Sequence, residues 1–378
     1  MNWLVTTVLA LALLVPRIQP IDGTEWTTND LRTFANHPNL VKGVLPFFTY
    51  ITSDSTLSPR HRELLILRTA WLSRSAYQWA RHAPIARKAG LTGEELRRVA
   101  AGPDERGWPP FEAALLRSAD ELHVNSFVGD ATWAALAARF STRQLMDAVF
   151  TVAEFTMLSE ITSSVGVATE AGVNEPMPAN VPYRIAVARS SERLVGKPPR
   201  IDALAPEQWT PDVRSMLDPG GTGRPVAGVY RTYAQHPKMY APRQLLSEYI
   251  RLQATLEPRV RELLIMRIGW LCGSEYEWGA HAPAGRRAGM TDADVQHVMA
   301  GPPPSGGSFD DTLLRAVDEL YADDVVSETT WRELSSRYGP KELLDLLVTT
   351  GGYRMVTMSL NTFGVQLEPG GERFPPRR

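Results

Sequence analysis

Glu277 and His281 stand four residues apart in S-E-Y-E-W-G-A-H (Ser274 to His281), so on a helix they share one face about one turn apart. A carboxylate beside an imidazole is a general acid/base pair, and the carboxylate both orients the ring and raises its pKa. Glu262, in the preceding apolar run, is the next carboxylate able to reach them, and Arg267 supplies a positive charge for an anionic substrate. Trp270, Tyr276 and Trp278 would wall an apolar pocket that excludes water. The same E-x-x-x-H spacing also serves a purely structural pair in a helix interface, so spacing alone leaves both readings open. The stretches around His82 and His281 each offer one histidine and no H-x-x-x-H partner, so no metal site is expected.

The elements that position these residues come from an internal duplication. TFANHP (Thr33 to Pro38) returns as TYAQHP (Thr232 to Pro237), and RELLILR (Arg62 to Arg68) as RELLIMR (Arg261 to Arg267). YQWARHAP (Tyr77 to Pro84) becomes YEWGAHAP (Tyr276 to Pro283), in the same ungapped register. One residue is lost after Gly301-Pro302, and LLRSADEL (Leu115 to Leu122) then matches LLRAVDEL (Leu313 to Leu320). The chain is therefore two copies of one domain. The boundaries read as an apolar N-terminal segment at 1–17, a first domain at 18–172, a linker at 173–199 and a second domain at 200–368. A tail at 369–378 (PGGERFPPRR) is expected to be disordered.

Each copy reads as all-α. Leu57, Leu64, Leu65, Arg68 and Leu72 repeat at the spacing of one helix face, and Pro59 sits where a helix start tolerates it. A second helix runs from about Ser75 to a terminator at Gly90, and Thr92 to Glu95 is a capping box opening a third. Helices are also expected around 111–124, 130–140 and 144–168, and no alternating pattern predicts a strand.

Composition narrows the function classes. The 378 residues are 43% hydrophobic and 22% charged, which is ordinary globular composition. Net charge is −2, with 40 basic and 42 acidic residues, so there is no electrostatic case for nucleic acid or an anionic membrane as partner. Cys272 is the one cysteine and excludes an intrachain disulfide. Leu4 to Val15 is apolar, but no basic residue precedes it, and it falls short of the roughly 20 residues that cross a bilayer. The expectation is a cytoplasmic protein whose N-terminal segment docks on the body or a partner, with export or anchoring through that segment as the alternative.

The strings R-E-L-L-I-M-R, S-E-Y-E-W-G-A-H and A-G-M-T, with the closing G-G-Y-R-M-V-T-M-S-L-N-T-F-G-V (Gly351 to Val365), resemble the carboxymuconolactone decarboxylase family. The resemblance covers nearly all of both repeats. It implies a compact helical domain that assembles into oligomers, here a dimer or trimer of two-domain chains, with a small-molecule substrate. The related alkyl hydroperoxide reductase D-type peroxidases use a Glu followed by C-x-x-C-x-x-x-H. Counting back from His281, the two Cys positions hold Ser274 and Glu277, and from His82 they hold Ser75 and Gln78. A dithiol peroxidase needs both thiols, so that chemistry is not expected. The decarboxylase-like branch implies proton handling by a His with nearby carboxylates and no cofactor.

The copies differ where chemistry would be done. Glu277 faces Gln78 in the alignment, Glu275 faces Ala76, and Asn361, a further candidate substrate contact, faces Ser163. Gln cannot exchange a proton at neutral pH. Glu63, Arg68, Tyr77 and His82 remain beside Gln78, so the first copy is expected to keep at most a partial pocket. The leading expectation is a cofactor-independent lyase or isomerase acting by proton transfer on a small lactone, carbonyl or carboxylate compound. A cyclase or rearrangement enzyme of a secondary-metabolite pathway is the alternative on the same fold, and a non-catalytic oligomeric scaffold is the alternative of another class.

Overall fold

In the computed structural model, residues 16–173 and 175–375 are described. They form seventeen α-helices, with no strand among the described residues. The first copy comprises α1 (Asn29–Phe34), α2 (Pro38–Thr49), α3 (Pro59–Leu72), α4 (Ala76–Lys88), α5 (Gly93–Ala101), α6 (Pro110–Asn125), α7 (Asp130–Ala137) and α8 (Thr142–Val165). The second comprises α9 (Pro211–Leu217), α10 (Gly228–Tyr233), α11 (Pro237–Leu252), α12 (Pro258–Leu271), α13 (Glu275–Arg287), α14 (Asp292–Ala300), α15 (Phe309–Asp323), α16 (Glu328–Ser335) and α17 (Pro340–Phe363). Helices α10 to α17 repeat α1 to α8 in order. Helix α9 has no counterpart, because the chain between Trp209 and Thr232 is longer than the matching stretch from Trp26 to Thr33.

Local chemistry sets the helix ends. Thr92 and Glu95 form the expected capping box, and Thr291 with Asp294 forms its counterpart. Pro59 and Pro258 open α3 and α12 at the position where a missing N–H costs nothing. Helices α8 and α17 both stop at a left-handed glycine, Gly166 and Gly364.

In each copy a nearly buried helix lies at the centre. Helix α3 packs on α4, α6 and α8, and α12 packs on α13, α15 and α17. The copies join through two matched pairs, α8 against α17 and α2 against α11. The second pairing is close because Gly43 has no side chain: a Cβ there would lie 2.5 Å from Cβ of Tyr249. The core is continuous across this junction.

The segments between and after the copies are tied down. Within 173–199 the Tyr183 hydroxyl donates to the Leu72 carbonyl at 2.7 Å, and the Ser190 N–H donates to the Asn125 side chain at 2.7 Å. The tail expected to be disordered instead folds back as far as it is described. Phe374 packs its ring 5.1 Å from Trp270 and 5.4 Å from Trp278, and Glu372 pairs with Arg286 at 2.6 Å. The reason is local: an aromatic residue finds an indole pair, and Gly279 leaves space, since a Cβ there would sit 2.9 Å from the Glu372 carbonyl oxygen. Of the apolar N-terminal segment, residues 1–15 lie outside the described residues. Arg17 bonds the backbone of both copies, at Ser164 (2.9 Å) and Val326 (2.8 Å). No described helix is long and apolar enough to cross a membrane.

Candidate active site

Helices α12 and α13 bring Glu262, Glu277 and His281 together. His281 Nδ1 lies 2.7 Å from Glu262 Oε2, and its Nε2 lies 3.3 Å from Glu277 Oε2. With the Nδ1–H donated to Glu262, Nε2 is the ring atom left to exchange a proton. The Tyr353 ring from α17 meets the imidazole edge-on at a centroid distance of 5.0 Å. Burial alone would depress the His281 pKa, but the hydrogen bond to Glu262 and the charges of Glu277 and Glu262 outweigh it and raise it above the ordinary value. Burial raises the Glu277 pKa, against the opposing charges of His281 and Arg243. Its Oε2 has no hydrogen-bond partner.

A cavity of about 360 Å³ opens beside this cluster, lined by Tyr276, Glu277, His281 and Tyr353 among others. Arg243, from α11, lies on its wall and is buried. Its guanidinium stacks over the Tyr233 ring at 5.5 Å and donates to Ser247, while its Nε has no partner. A buried, incompletely bonded guanidinium facing a cavity is suited to hold an anion.

Other expected contacts stand elsewhere. Arg267 does not reach the cavity: it binds Asp318 bidentately, at 2.6 and 2.7 Å, and donates to the carbonyls of Val298 and Met299. Arg68 does the same in the first copy, on Asp120 at 2.6 and 2.8 Å and on Val99 and Ala100. Both arginines therefore fasten the central helix to its neighbours. Trp270 and Trp278 pack on each other and on Phe374, away from the cavity, with Trp278 fully buried. Asn361 donates to the Ser126 carbonyl across the copy junction and to the Cys272 carbonyl within its own copy. Cys272 is buried, with burial raising its thiol pKa.

In the first copy His82 Nδ1 lies 2.9 Å from Glu63 Oε2, so half of the arrangement recurs. Gln78 stands in place of Glu277, and its amide nitrogen has no partner. The space is filled differently. Phe155 packs on His82 at 4.8 Å and on Phe48 at 6.3 Å, where the second copy has Tyr353 and Ser247. Arg81 replaces Ala280 and reaches Glu170 at 3.5 Å. Tyr77 donates to Glu170 at 2.9 Å, as Tyr276 donates to Glu368 at 3.3 Å in the second copy.

Reasoning from sequence missed Arg243, Ser247 and Tyr353. Each faces an apolar residue in the repeat alignment (Val44, Phe48, Phe155), which is the signal that could have found them. Among the described residues, no group of three or more His, Cys, Asp or Glu is disposed to hold a metal ion.

No curated protein matches the chain. The family model described as the carboxymuconolactone decarboxylase family matches it twice, over residues 38–121 and 237–308, which span helices α2 to α6 and α11 to α14. The two matches fall one in each copy and include both His–Glu pairs, so each copy of the tandem resembles a domain of the carboxymuconolactone decarboxylase family.

Proposed function

We propose that this protein is a cofactor-independent lyase or isomerase, and that its working site is the second-copy cavity. The observation that carries the reading is His281, held on one side by Glu262 and flanked by Glu277, beside a cavity that also presents Arg243. His281 Nε2 takes a proton from a carbon next to a carbonyl or carboxylate group. The electron pair left on carbon moves into the carbonyl, whose developing negative charge lies toward Arg243. In an isomerisation the imidazolium returns the proton to another carbon of the same system. In a decarboxylation the carbon–carboxylate bond breaks instead, CO2 departs, and the imidazolium supplies the proton that replaces it. Glu262 orients the ring and stabilises its charged form; Glu277 shares the proton on the cavity side. The first copy, with Gln78 in place of Glu277 and Phe48, Arg81 and Phe155 filling the space, shapes the junction rather than turning over substrate. The same proton transfers in a dry aromatic cavity would also serve a cyclisation.

Metabolite profiling tests this. A strain lacking the gene is complemented with the wild type or with the Glu277→Gln/His281→Ala double variant, at equal abundance. An intermediate that accumulates in the deletion and is cleared only by wild type supports the reading, and its mass relative to product separates loss of CO2 from isomerisation. Removal of a general acid/base lowers turnover by roughly 10²–10⁴-fold. Equal clearance by the double variant would sink the acid/base site and favour the scaffold.

A further inference from the structure

One wall of the cavity exists in the second copy alone. The extra chain after Trp209 forms α9, capped by Thr210, whose hydroxyl accepts from the Val213 N–H at 3.3 Å. The loop that follows is fixed by Asp218, which accepts from the Thr222 N–H (2.8 Å), the Thr222 hydroxyl (2.7 Å) and the Gly223 N–H (3.0 Å). Gly220 and Gly221, at φ +93° and +63°, make the turn that side chains would strain. This strap lays Met216, Leu217, Pro219 and Val226 on the cavity, and all four are apolar. The polar groups lie on other walls. Glu277 and His281 come from α13, and Arg243 and Ser247 from α11. Farther along α11, Gln244 donates to Glu248 at 2.9 Å, and Arg251 stands eight residues beyond Arg243, roughly 12 Å along the axis at 1.5 Å per residue.

Resting on the acid/base reading above, we infer that residues 210–226 select the substrate class: a monocarboxylate with a compact apolar ring or branched body. Its carboxylate sits on Arg243 and its apolar end lies under the strap. A second carboxylate across a ring would be turned against Met216 and Leu217, where it loses water and gains no donor. Ring-sized spacing also falls short of Arg251, and Glu248 lies between the two arginines and repels it. At about 360 Å³ the cavity is at the small end for ligand sites and suits a single ring.

The test is calorimetric titration of the full chain with benzoate, cyclohexanecarboxylate, terephthalate and acetate. Benzoate and cyclohexanecarboxylate are expected to bind at least tenfold more tightly than terephthalate or acetate. Met216→Asn should weaken the two ring monoacids by about tenfold and leave acetate unchanged, and Val226→Asn, at a half-buried strap position, should act in the same direction. Arg243→Met should abolish binding of all four. Terephthalate binding as tightly as benzoate, failure of the ring acids to bind wild type, or an unchanged preference in both strap variants would overturn selection by the strap. Carboxylate binding that survives Arg243→Met would overturn the anion site of the proposed function itself, a separate failure.

Discussion

The Nδ1–H of His281 is directed to Glu262 at 2.7 Å while Nε2 lies 3.3 Å from Glu277, so the two carboxylates act on different atoms of one ring. The His281 pKa is raised above its ordinary value. The folded state therefore holds that proton more tightly than the unfolded chain. The stability it contributes is complete below the ordinary histidine pKa of about 6.5 and is lost as pH rises through the folded value. Glu262→Gln keeps an acceptor oxygen but removes the negative charge that raises it, so the ring should titrate lower. Proton NMR titration of the imidazole signals checks this. A His281 signal that titrates identically in wild type and variant would mean that Glu262 only packs. Glu154 on α8 offers a second case. It is fully buried, neither carboxylate oxygen has a partner, and burial pushes its pKa up to about 8 against the charge of Arg243. Between about pH 4.5 and 8 the folded state binds this proton and the unfolded chain does not, so stability falls as pH rises through that window. Glu154→Gln should flatten this part of the curve: its melting temperature relative to wild type should be higher at pH 8.5 than at pH 5.5.

At the level of elements, the two copies use the same helices to opposite ends. Helix α2 sends Val44 and Phe48 where α11 sends Arg243 and Ser247, and α8 sends Glu154 and Phe155 where α17 sends Gly352 and Tyr353. Small or polar residues open the second copy and large ones fill the first. Ser247→Phe should therefore close the second cavity without disturbing the fold, because the first copy already carries Phe at the matching position of an equivalent helix. The expected outcome is loss of benzoate binding by at least tenfold, with helical circular dichroism unchanged. Helix type and order were readable from the sequence because periodicity, capping boxes and terminal glycines are local signals, and the repeat supplied each of them twice. The helices before Pro59 and Pro258 were not read, because α2 carries Pro46 inside it and α11 carries Pro242. The His281–Glu262 contact was suggested by types and spacing. The cation was not: Arg267 shares its motif with Glu262 but points toward Asp318, and side-chain direction is set by packing with α14 and α15 rather than by sequence distance. Arg243, on another helix, lay outside any local pattern.

Across the whole molecule, the polar links between the copies include two mirrored clusters and one that has no mirror. The Tyr50 hydroxyl donates to Asp147 at 2.8 Å and meets His236 of the second copy at 2.9 Å; Tyr249 donates to Asp345, beside His37 of the first copy at 3.3 Å. All six residues are matched pairs in the repeat, a signal of a shared role that sequence could show but not place, because each His serves the other copy. The unmirrored cluster is Arg354 of α17. Its Nη1 donates to Glu160 of the first copy at 2.5 Å and to Asp324 at 2.6 Å, all three fully buried. The repeat puts Thr156 opposite Arg354 and Met358 opposite Glu160, so a copy paired with its own kind would lack one partner of this bond. Arg354→Met leaves the buried Glu160 and Asp324 side chains without their cation and should cost about 3–5 kcal/mol, measured by urea unfolding at pH 9. Burial pushes the Glu160 pKa up to about 8, opposed by Arg354. Removing Arg354 raises it further, so above about pH 8 the folded variant keeps a proton that both wild type and the unfolded chain have lost, and its deficit relative to wild type should shrink as pH falls toward 8 and stay level below it. Adding Glu160→Met, the residue the second copy already uses at that position, should recover a large part of the loss. A deficit independent of pH and untouched by the second substitution would mean that Arg354 contributes through packing alone.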